Sequence, residues 1–490
     1  MKGQFWTPDW VADAMAAYVL GGGADHLFDP AVGAGALFQA AKRIASRSGK
    51  TVTLYGTEID PRAIEQAREG GLSDSDLAAV EMRDFAIDPP PRRFRAIAAN
   101  PPYIRHHRLP HETKATLRQF SARLIGKPLD GRAGLHVYFL LRALSLLEAC
   151  GRLAFIMPAD TCEGVFATTL WRWITERFRL DAVITFSRAA SPFPAVDTNA
   201  IIFLIENSPT AARFHWAEVM VADRSALTKW VASGFVNPDA QSLTVCERDV
   251  QEALDTGLSR PRLDAKREGA MLGDFATVMR GVATGANDFF FLTTRQAQAL
   301  RIPSEFLLPA VGRTRDVAGD EVTNTTINEL MEKGRPTLLF APDGRPLDAF
   351  PQAVRDYLVQ GERMGIDRRT LIMTRRPWYK MESRSAPPFL FAYLGRRNAR
   401  FILNRAGVIP LTGFLCIYPR ANDAADNERL WQALKHPDTA ANLRLVGKSY
   451  GAGAIKVEPR ALERLPIPAH VLHETGLLET TRREQLALAF

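Results

Sequence analysis

The sequence predicts an α/β fold for the first half of the chain, with a second domain behind it. Along the first half, short apolar runs end in an acidic or amide residue and are followed by helical patterns, as in residues 26–41. Strands that alternate with helices in this way indicate βαβ units and a parallel sheet. The 490 residues exceed the ~250–300 at which a single core stops growing. We therefore place a boundary near residue 243, which gives domains 1–243 and 244–490.

Composition excludes several classes of protein. Hydrophobic residues make up 46% of the chain and charged residues 24%, which is ordinary for a globular protein. No apolar run approaches the ~20 residues of a membrane span, and the start of the chain has no signal-peptide core. We expect a cytoplasmic protein without a membrane partner. The four cysteines are scattered without metal-ligand spacing, so we expect reduced thiols and no metal site.

The first predicted helix covers residues 8–19, where apolar residues recur at helical spacing. Thr7 precedes this helix and Pro8 occupies its first position, so Thr7 is a candidate N-cap. A capped surface helix is the alternative that needs no function.

A glycine-rich turn follows the first predicted strand. The strand ends at Asp29, and the turn contains Ala31, Gly33 and Gly35 before an Ala/Leu-rich helix begins. Glycines allow a ligand to come close to the backbone, where a Cβ would clash. The turn lacks the third glycine of the dinucleotide fingerprint and the Lys-Ser/Thr of a phosphate loop. We therefore expect a nucleoside ligand without a phosphate chain, with a tight structural turn as the alternative.

The next two predicted strands also end in acidic residues. Glu58 ends the second strand, where a carboxylate can accept hydrogen bonds from both hydroxyls of a ribose. Capping of the following helix is the alternative role for Glu58. Asp84 and Phe85 end the third strand, so that Asp84 can accept from an exocyclic amine and Phe85 can lie against a flat base. Taken alone, these two residues also fit an acidic turn beside a core Phe.

The fourth predicted strand, residues 94–99, ends abruptly at Asn100-Pro101-Pro102-Tyr103. An amide, a rigid turn and an aromatic ring thus follow the carboxyl end of a strand, where open α/β sheets bind their ligands. Taken alone, the stretch also fits an ordinary Asn-Pro turn.

Four motifs therefore stand in order, one at each predicted strand end. They are Asp-Pro-x-x-Gly-x-Gly from Asp29, Glu58-Ile59-Asp60, Asp84-Phe85 and Asn100-Pro101-Pro102-Tyr103. Together they resemble the gamma-class N6-adenine-specific DNA methyltransferases, the methylases of type II restriction-modification systems. The segment Gly3-Gln4-Phe5-Trp6-Thr7-Pro8 matches the one that precedes the glycine-rich motif in that class. The resemblance covers roughly residues 3–206 well and the later residues loosely.

This resemblance implies a fold and a set of site residues. The fold is a Rossmann-like S-adenosylmethionine-dependent methyltransferase domain with a mostly parallel seven-stranded sheet, followed by an α+β target-recognition domain. The residues implied to bind S-adenosylmethionine are Thr7, Asp29, Ala31, Gly33, Gly35, Glu58, Ile59, Asp84, Phe85 and Phe139. Those implied to act on the base are Asn100, Pro101, Pro102, Tyr103 and Phe193. Phe139 would lie beside the cofactor adenine, with core packing as the alternative, and Phe193 would stack on an extruded base.

The chemistry of an exocyclic amine explains the Asn-Pro-Pro-Tyr stretch. Its lone pair is delocalised into the ring, so the amine is a poor nucleophile. The side-chain oxygen of Asn100 and the carbonyl of Pro101 can each accept one amino hydrogen and localise that lone pair. Direct in-line transfer then needs no covalent intermediate and no metal. The target nitrogen is unreachable inside a stacked duplex, so the adenine must be flipped out, with Tyr103 and Phe193 against its faces.

The second half carries looser motifs and most of the basic excess. Gly281-Val282-Ala283-Thr284-Gly285 resembles the opening of a gamma-class target-recognition domain, and residues 448–459 resemble its closing segment. Between Arg368 and Arg405, ten Lys and Arg residues face a single acid, which indicates an anionic partner. The candidate DNA-binding residues are Arg105, Arg375, Arg376, Arg396, Arg397 and Lys448. For Arg105 and the basic helix after it, a solvated surface is the alternative.

The sequence supports one main hypothesis against three others. We expect a monomeric methyltransferase that acts on double-stranded DNA, with a separately encoded restriction endonuclease as a second partner. Protein-glutamine N5-methyltransferases share the Asn-Pro-Pro-Tyr stretch but need no basic second domain. A catalytically idle DNA-specificity subunit has no reason to keep the acids and Asn100. A fused nuclease is disfavoured because no convincing Pro-Asp…Glu-x-Lys site follows the methyltransferase motifs.

Overall fold

The computed structural model describes residues 6–162, 166–187, 189–194, 199–223, 225–261, 269–392, 399–421, 423–450 and 454–477, with the backbone alone for residues 444, 448–450 and 454–456. The chain forms two compact units, Met1–Leu263 and Asp264–Phe490. The division lies later than the predicted 243/244 because a strand at Leu243–Asp249 pairs within the first unit. None of the described helices is long and apolar enough to span a membrane.

The first unit is built on a sheet of nine strands, not the predicted seven. They are β1 (His26–Asp29), β2 (Thr53–Glu58), β3 (Val80–Met82), β4 (Phe94–Ala99), β5 (Leu147–Pro158), β6 (Arg179–Phe186), β7 (Ala200–Glu206), β8 (Arg213–Val219) and β9 (Leu243–Asp249). Their order is β3-β2-β1-β4-β5-β7-β6-β8-β9, and only β7 and β9 run against the rest. The mostly parallel sheet is confirmed. The two additional strands extend the sheet at one edge, where β8 pairs in parallel with β6 and β9 pairs antiparallel with β8.

Helices cover both faces of this sheet. They are α1 (Asp9–Leu20), α2 (Ala36–Arg47), α3 (Pro61–Glu69), α4 (Asp74–Leu77), α5 (His111–Ile125), α6 (Leu135–Ser145), α7 (Ala167–Thr175), α8 (Ala226–Ala232) and α9 (Val250–Thr256). Strand β5 shows the two layers: Leu153 and Phe155 pack with α6 and α7, whereas Ala154 and Ile156 pack with α1 and α8. Alternate side chains of a strand point to opposite faces, so a strand buried on both faces reads as a continuous apolar run.

The connections of the sheet decide where a ligand can bind. From β1 the chain moves outward through β2 to β3, and it then returns to place β4 on the other side of β1. The crossover directions diverge between β1 and β4, which opens a crevice at the carboxyl ends of these strands. Asp29, Glu58 and Asn100 stand at the ends of β1, β2 and β4 and are therefore brought to this crevice.

The second unit has the predicted α+β character, with mainly antiparallel sheets. Its strands are β10 (Gly269–Met271), β11 (Ala276–Arg280), β12 (Phe291–Leu292), β13 (Leu307–Val311), β14 (Glu321–Val322), β15 (Leu338–Phe340), β16 (Phe389–Ala392), β17 (Arg400–Asn404), β18 (Ile409–Pro410), β19 (Phe414–Pro419), β20 (Lys448–Tyr450), β21 (Ala454–Lys456) and β22 (Pro466–Pro468). A five-stranded sheet has the order β11-β19-β16-β17-β14, and a four-stranded sheet has the order β12-β15-β13-β18. Strands β10 and β22 pair separately, as do β20 and β21.

The helices of the second unit are α10 (Leu272–Phe275), α11 (Asn287–Phe290), α12 (Thr294–Ala299), α13 (Asn324–Glu332), α14 (Gln352–Arg363), α15 (Ala424–Lys435), α16 (Pro437–Ala441), α17 (Leu443–Val446), α18 (Pro459–Glu463) and α19 (Ala469–Glu474). The aromatic run that follows Gly285 forms mostly the short helix α11, with only two residues in β12. The reason is packing, since Phe289 and Phe290 of α11 are both buried in an aromatic core with Phe340 and Tyr357.

Candidate active site

A cleft with about 930 Å³ of empty space opens at the carboxyl ends of β1 to β4. Nine of the ten predicted cofactor-binding residues line it: Thr7, Asp29, Ala31, Gly33, Glu58, Ile59, Asp84, Phe85 and Phe139. Asn100 and Pro102 line the same cleft. The structure thus brings together motifs that lie far apart in the chain.

The glycine-rich turn forms the floor of the cleft between β1 and α2. The buried carboxyl group of Asp29 accepts a hydrogen bond of 3.0 Å from the N–H of Ala31, which holds the turn to the strand end. Gly33 has a φ of +55°, a left-handed conformation that favours glycine. A Cβ on Gly33 would point at the ring of Trp6, 3.7 Å away, and would narrow the cleft.

Gly35 has a different role from the one predicted. It lies at the start of α2 with a φ of +79°, outside the lining of the cleft. A Cβ at this position would stand 2.2 Å from Cδ1 of Leu72. Gly35 therefore allows the turn to pack against Leu72. The sequence could not distinguish the two glycines because the clash comes from a residue in a later segment of the chain.

The carboxylate of Glu58 ties the ends of two strands together. Its Oε2 accepts the N–H of Gly33 at 2.9 Å, and its Oε1 accepts the N–H groups of Ile59 and Asp60 at 2.8 and 2.9 Å. A carboxylate has about four acceptor sites, so this arrangement leaves about one for a ligand. A bidentate contact with two ribose hydroxyls would require Gly33 to release Oε2. Glu58 does not cap the following helix, because the side chain of Asp60 caps α3 by accepting the N–H of Arg62.

Asn100 is oriented by Thr7. Its Nδ2 donates a hydrogen bond of 3.1 Å to Oγ1 of Thr7, which is buried. The prediction that Thr7 caps the first helix is wrong: α1 begins at Asp9, Pro8 holds the N-cap position, and no side chain caps it. The hydroxyl of Thr7 is committed to Asn100 instead. Because the amide nitrogen faces Thr7, the amide oxygen faces the other way.

Aromatic and aliphatic side chains supply the apolar part of the cleft. The rings of Phe85 and Phe139 lie 5.2 Å apart and are buried, and each also belongs to the core of the unit. Phe139 thus packs in the core and lines the cleft at the same time. Ile59 is exposed although it is apolar, which is expected of a residue that a ligand covers.

Several lining residues were not predicted. They include Trp6, Val32, Arg83, Ile104 and Leu135. Trp6 offered a signal, because it stands next to Thr7 in the amino-terminal segment and is half exposed. Arg83 precedes Asp84 and forms ion pairs with Glu81 and Asp88, so that its guanidinium is held at the rim.

The two units match two protein families. Residues 1–233 match the N-6 DNA methylase family, and residues 260–487 match the carboxyl-terminal domain of type II methyltransferase M.Eco57I. The type II methyltransferase M.AccI of Acinetobacter calcoaceticus is 24% identical over 99% of this chain and 87% of its own length. The chain is a DNA methyltransferase of the type II restriction-modification kind.

Two further proteins are similar to this methyltransferase over most of its length. The type II methyltransferase M.XamI of Xanthomonas campestris pv. amaranthicola is 25% identical, covering 95% of this chain and 85% of the relative. The type IIL restriction-modification enzyme MmeI, solved in complex with DNA, has the same fold with a TM-score of 0.50 and 12% identity. That likeness covers 94% of this chain but only 63% of MmeI.

The methyltransferase uses S-adenosylmethionine, and the cleft fits this cofactor. Phe85 and Phe139 offer an apolar wall for a purine, the carboxylates of Glu58 and Asp84 offer acceptors for a ribose and an amine, and Gly33 leaves space beside the backbone. When bound, S-adenosylmethionine supplies a methyl group activated by its sulfonium cation. The sequence carries no phosphate-loop motif, which agrees with a nucleoside ligand.

Pro101, Tyr103 and Phe193 do not line the cleft. The hydroxyl of Tyr103 donates a 3.1 Å hydrogen bond to the carbonyl of Ile156, which fixes the orientation of the ring. Burial raises the pKa of Tyr103 far above its usual value, so the phenol stays a neutral donor. Phe193 is buried in the core layer with Phe186 and Ala190. Its stacking on a base stays a prediction.

In the folded structure, acidic residues offset part of the positive charge of the basic stretch from Arg368 to Arg405. Arg369 makes two hydrogen bonds of 2.7 Å with Asp288, and Arg405 pairs with Glu321 at 3.0 Å. Arg384 pairs with Glu382, and Arg400 lies 3.6 Å from Asp320. Three of these acids come from outside the stretch, so a count along the sequence could not include them.

The candidate DNA-binding residues have different surroundings. Arg105 and Arg376 are exposed. Arg375 is half-buried and donates hydrogen bonds of 2.7 and 2.8 Å to the carbonyls of Ala283 and Thr284. Burial lowers its pKa, and it is an internal anchor of the second unit. Arg396 and Arg397 lie outside the described residues, as does the side chain of Lys448, whose backbone begins β20.

Asp29 makes the stability of this methyltransferase depend on pH. Burial, followed by repulsion from Glu58, raises the pKa of Asp29 to about 8. The unfolded chain ionises Asp29 near pH ~4, so between about pH 4 and 8 the folded state holds the extra proton. This contribution to the free energy of unfolding therefore falls as pH rises, by up to about 1.4 kcal/mol per pH unit. Urea denaturation of the wild type and Asp29→Asn at several pH values between 5 and 8 measures it.

The Asp29→Asn variant keeps an acceptor for the N–H of Ala31 and loses the titrating group. We therefore expect the wild type to lose stability relative to Asp29→Asn as the pH rises across this range. Parallel pH dependences of the two proteins would contradict a raised pKa for Asp29.

Proposed function

We propose that this enzyme transfers a methyl group from S-adenosylmethionine to N6 of an adenine that is flipped out of double-stranded DNA. The observation that carries the proposal is the position of Asn100, whose amide is held by Thr7 at the rim of the cofactor cleft. An adenine is favoured because the Asn-Pro-Pro-Tyr stretch and the match to the N-6 DNA methylase family point to the same exocyclic amine.

In this mechanism the chain positions a poor nucleophile. Oδ1 of Asn100 and the carbonyl oxygen of Pro101 accept the two amino hydrogens, so the nitrogen becomes tetrahedral and its lone pair is localised. The prolines at 101 and 102 restrict the backbone and so keep the second acceptor in place. The in-line approach of nitrogen to methyl then depends on positioning alone. The methylated nitrogen releases its extra proton to water after the transfer.

Tyr103 is assigned the face of the flipped base nearest the Asn100 turn. Its hydroxyl is bound to Ile156 and the edge of its ring meets His136 at 6.1 Å, which supports a fixed ring orientation. We assign Phe193 to the opposite face. Stacking of this kind contributes ~1–3 kcal/mol per base.

The two units divide the work in this proposal. The first unit binds the cofactor and performs the transfer, and the second recognises the target sequence. We infer that the enzyme acts as a monomer and that a separately encoded restriction endonuclease cleaves the unmethylated site. Relatives of the same kind match both units, and this disfavours a protein-glutamine methyltransferase and an idle specificity subunit.

The base is identified by product analysis. The purified enzyme is incubated with S-adenosylmethionine carrying a deuterated methyl group and with DNA from a methylation-deficient strain, and the DNA is digested to nucleosides. We expect labelled N6-methyladenine in the mass spectrum. Labelled N4-methylcytosine or C5-methylcytosine would overturn the assignment of adenine, and unlabelled DNA would overturn the proposed substrate.

A further inference from the structure

An exposed apolar surface in the second unit is not explained by the fold. Met364, Leu371 and Met373 are exposed to 55%, 45% and 51%, and all three lie in residues 364–376, called here the 364–376 segment. Large apolar side chains clustered on a surface mark an interaction site more often than isolated ones do.

The segment is firmly attached to the core beneath it. Ile366 and Ile372, at the starts of its two 3₁₀ turns, are fully buried. Gly285 lies directly under the second turn, with a φ of +76°, and a Cβ there would stand 2.9 Å from Cγ1 of Ile372. Close packing of the Gly-x-x-Thr-Gly turn thus supports the segment from below.

Two arginines add polar anchors. Arg369 binds Asp288 of α11 through both carboxylate oxygens, and Arg375 donates to the carbonyls of Ala283 and Thr284 and lies 5.6 Å over the ring of Phe290. Through these contacts Arg369 and Arg375 hold the segment to neighbouring parts of the second unit. A rigid backbone presents Leu371 and Met373 outward with little conformational entropy left to lose on binding.

The outward-facing cations have no comparable acidic partners among the described residues. Arg368 is 84% exposed, with only its neighbour Asp367 at 4.0 Å. Arg376 is exposed and donates to the carbonyls of Met373 and Arg375. The only acid within the segment is Asp367, so the segment carries a net positive charge beside its exposed apolar residues. This combination fits an anionic polymer with apolar surfaces between its charges.

We infer that the 364–376 segment is a duplex-DNA contact in which Leu371 and Met373 enter a groove as an apolar wedge between bases, and Arg368 and Arg376 bind the flanking phosphates. The inference rests on the proposed function of the second unit. Apolar wedges partly unstack the bases that they separate, while cations add affinity that depends on salt. The two pairs of residues therefore have different measurable effects.

The test compares two double variants of the full-length enzyme on duplex DNA that contains its target site. Leu371→Ser/Met373→Ser is expected to weaken binding about tenfold with an unchanged dependence of log K on log salt. Arg368→Gln/Arg376→Gln is expected to reduce the slope of that dependence by about 1.8, since each phosphate contact contributes ~0.9. Fluorescence anisotropy across a salt range of roughly 50 to 200 mM measures both quantities.

Control substitutions lie outside the segment in the same unit. Met331→Ser changes a methionine that is 37% exposed on α13, and Arg295→Gln changes an exposed arginine on α12. Both controls are expected to bind DNA as the wild type does. Equal effects of control and segment variants, or wild-type affinity and slope in both segment variants, would overturn the inference.

The outcomes separate this inference from the proposed function. If the wild type fails to methylate any DNA, the proposed function fails. If the wild type methylates DNA and the segment variants bind normally, only the DNA contact fails. A loss of self-association in Leu371→Ser/Met373→Ser by light scattering, with unchanged DNA affinity, would assign the segment to a second copy of the chain and overturn the inference.

Discussion

Asn100→Ala is expected to lower the rate of methyl transfer about 10³-fold while leaving the affinity for S-adenosylmethionine nearly unchanged. Loss of one preorganised hydrogen-bonding group at a reacting centre costs about 10²–10³ in rate, and here the amine also remains a planar, delocalised nucleophile. Asn100 lines the cleft next to the cofactor residues but hydrogen-bonds to Thr7, so its removal leaves Glu58 and the glycine turn intact. Single-turnover kinetics measure the rate, and calorimetry measures the cofactor affinity.

The matched control is Asn324→Ala, which removes an exposed amide at the start of α13 in the other unit. We expect wild-type turnover from it. Retention of near-normal single-turnover rates by Asn100→Ala would remove the central residue of the mechanism. A large loss of cofactor affinity in the same variant would show that Asn100 acts on the cofactor instead of the base.

The second large effect is expected at Glu58. Glu58→Ala should weaken S-adenosylmethionine binding about 10–100-fold, because it removes a charged acceptor from the cofactor and leaves three backbone N–H groups without their partner. Each orphaned donor costs ~1–3 kcal/mol if water cannot replace the acceptor, so the free energy of unfolding should fall by about 2 kcal/mol as well. Calorimetric titration and urea denaturation measure the two effects.

Glu65→Ala provides the control for Glu58, since Glu65 is an exposed glutamate on the following helix α3. It is expected to bind the cofactor and unfold as the wild type does. A Glu58→Ala variant with normal affinity for S-adenosylmethionine would mean that Glu58 only binds the backbone N–H groups of the loops and does not bind the cofactor.

The strand ends were predictable from the sequence for a local reason. Each apolar run that ends at Asp29, Glu58 or Asn100 is a strand buried on both faces, and a polar residue or a proline is what stops such a strand. The α/β connections then bring these ends to one edge of the sheet. The fold class and a nucleoside ligand could therefore be predicted before any tertiary contact was known. The resemblance to the methyltransferases added S-adenosylmethionine and the residues implied to bind it.

The partners of individual side chains could not be predicted in this way. Thr7 fits an N-cap in sequence but hydrogen-bonds to Asn100, 93 residues away. Gly35 fits a ligand-approach glycine but packs against Leu72. The net charge of residues 368–405 is reduced by Asp288, Asp320 and Glu321, which approach from other elements. Each of these contacts depends on how distant segments pack.

The sequence by itself thus determined the order of the strand ends, the nature of the ligand and the chemistry that Asn100 can perform, because spacing and residue type carry that information locally. Tertiary structure alone decided the nine-stranded sheet, the three backbone N–H groups on Glu58 and the division of the arginines into anchors and exposed cations. Hydrogen-bonding capacity and charge are finite, so a side chain is available to a ligand only to the extent that the fold has not already used it.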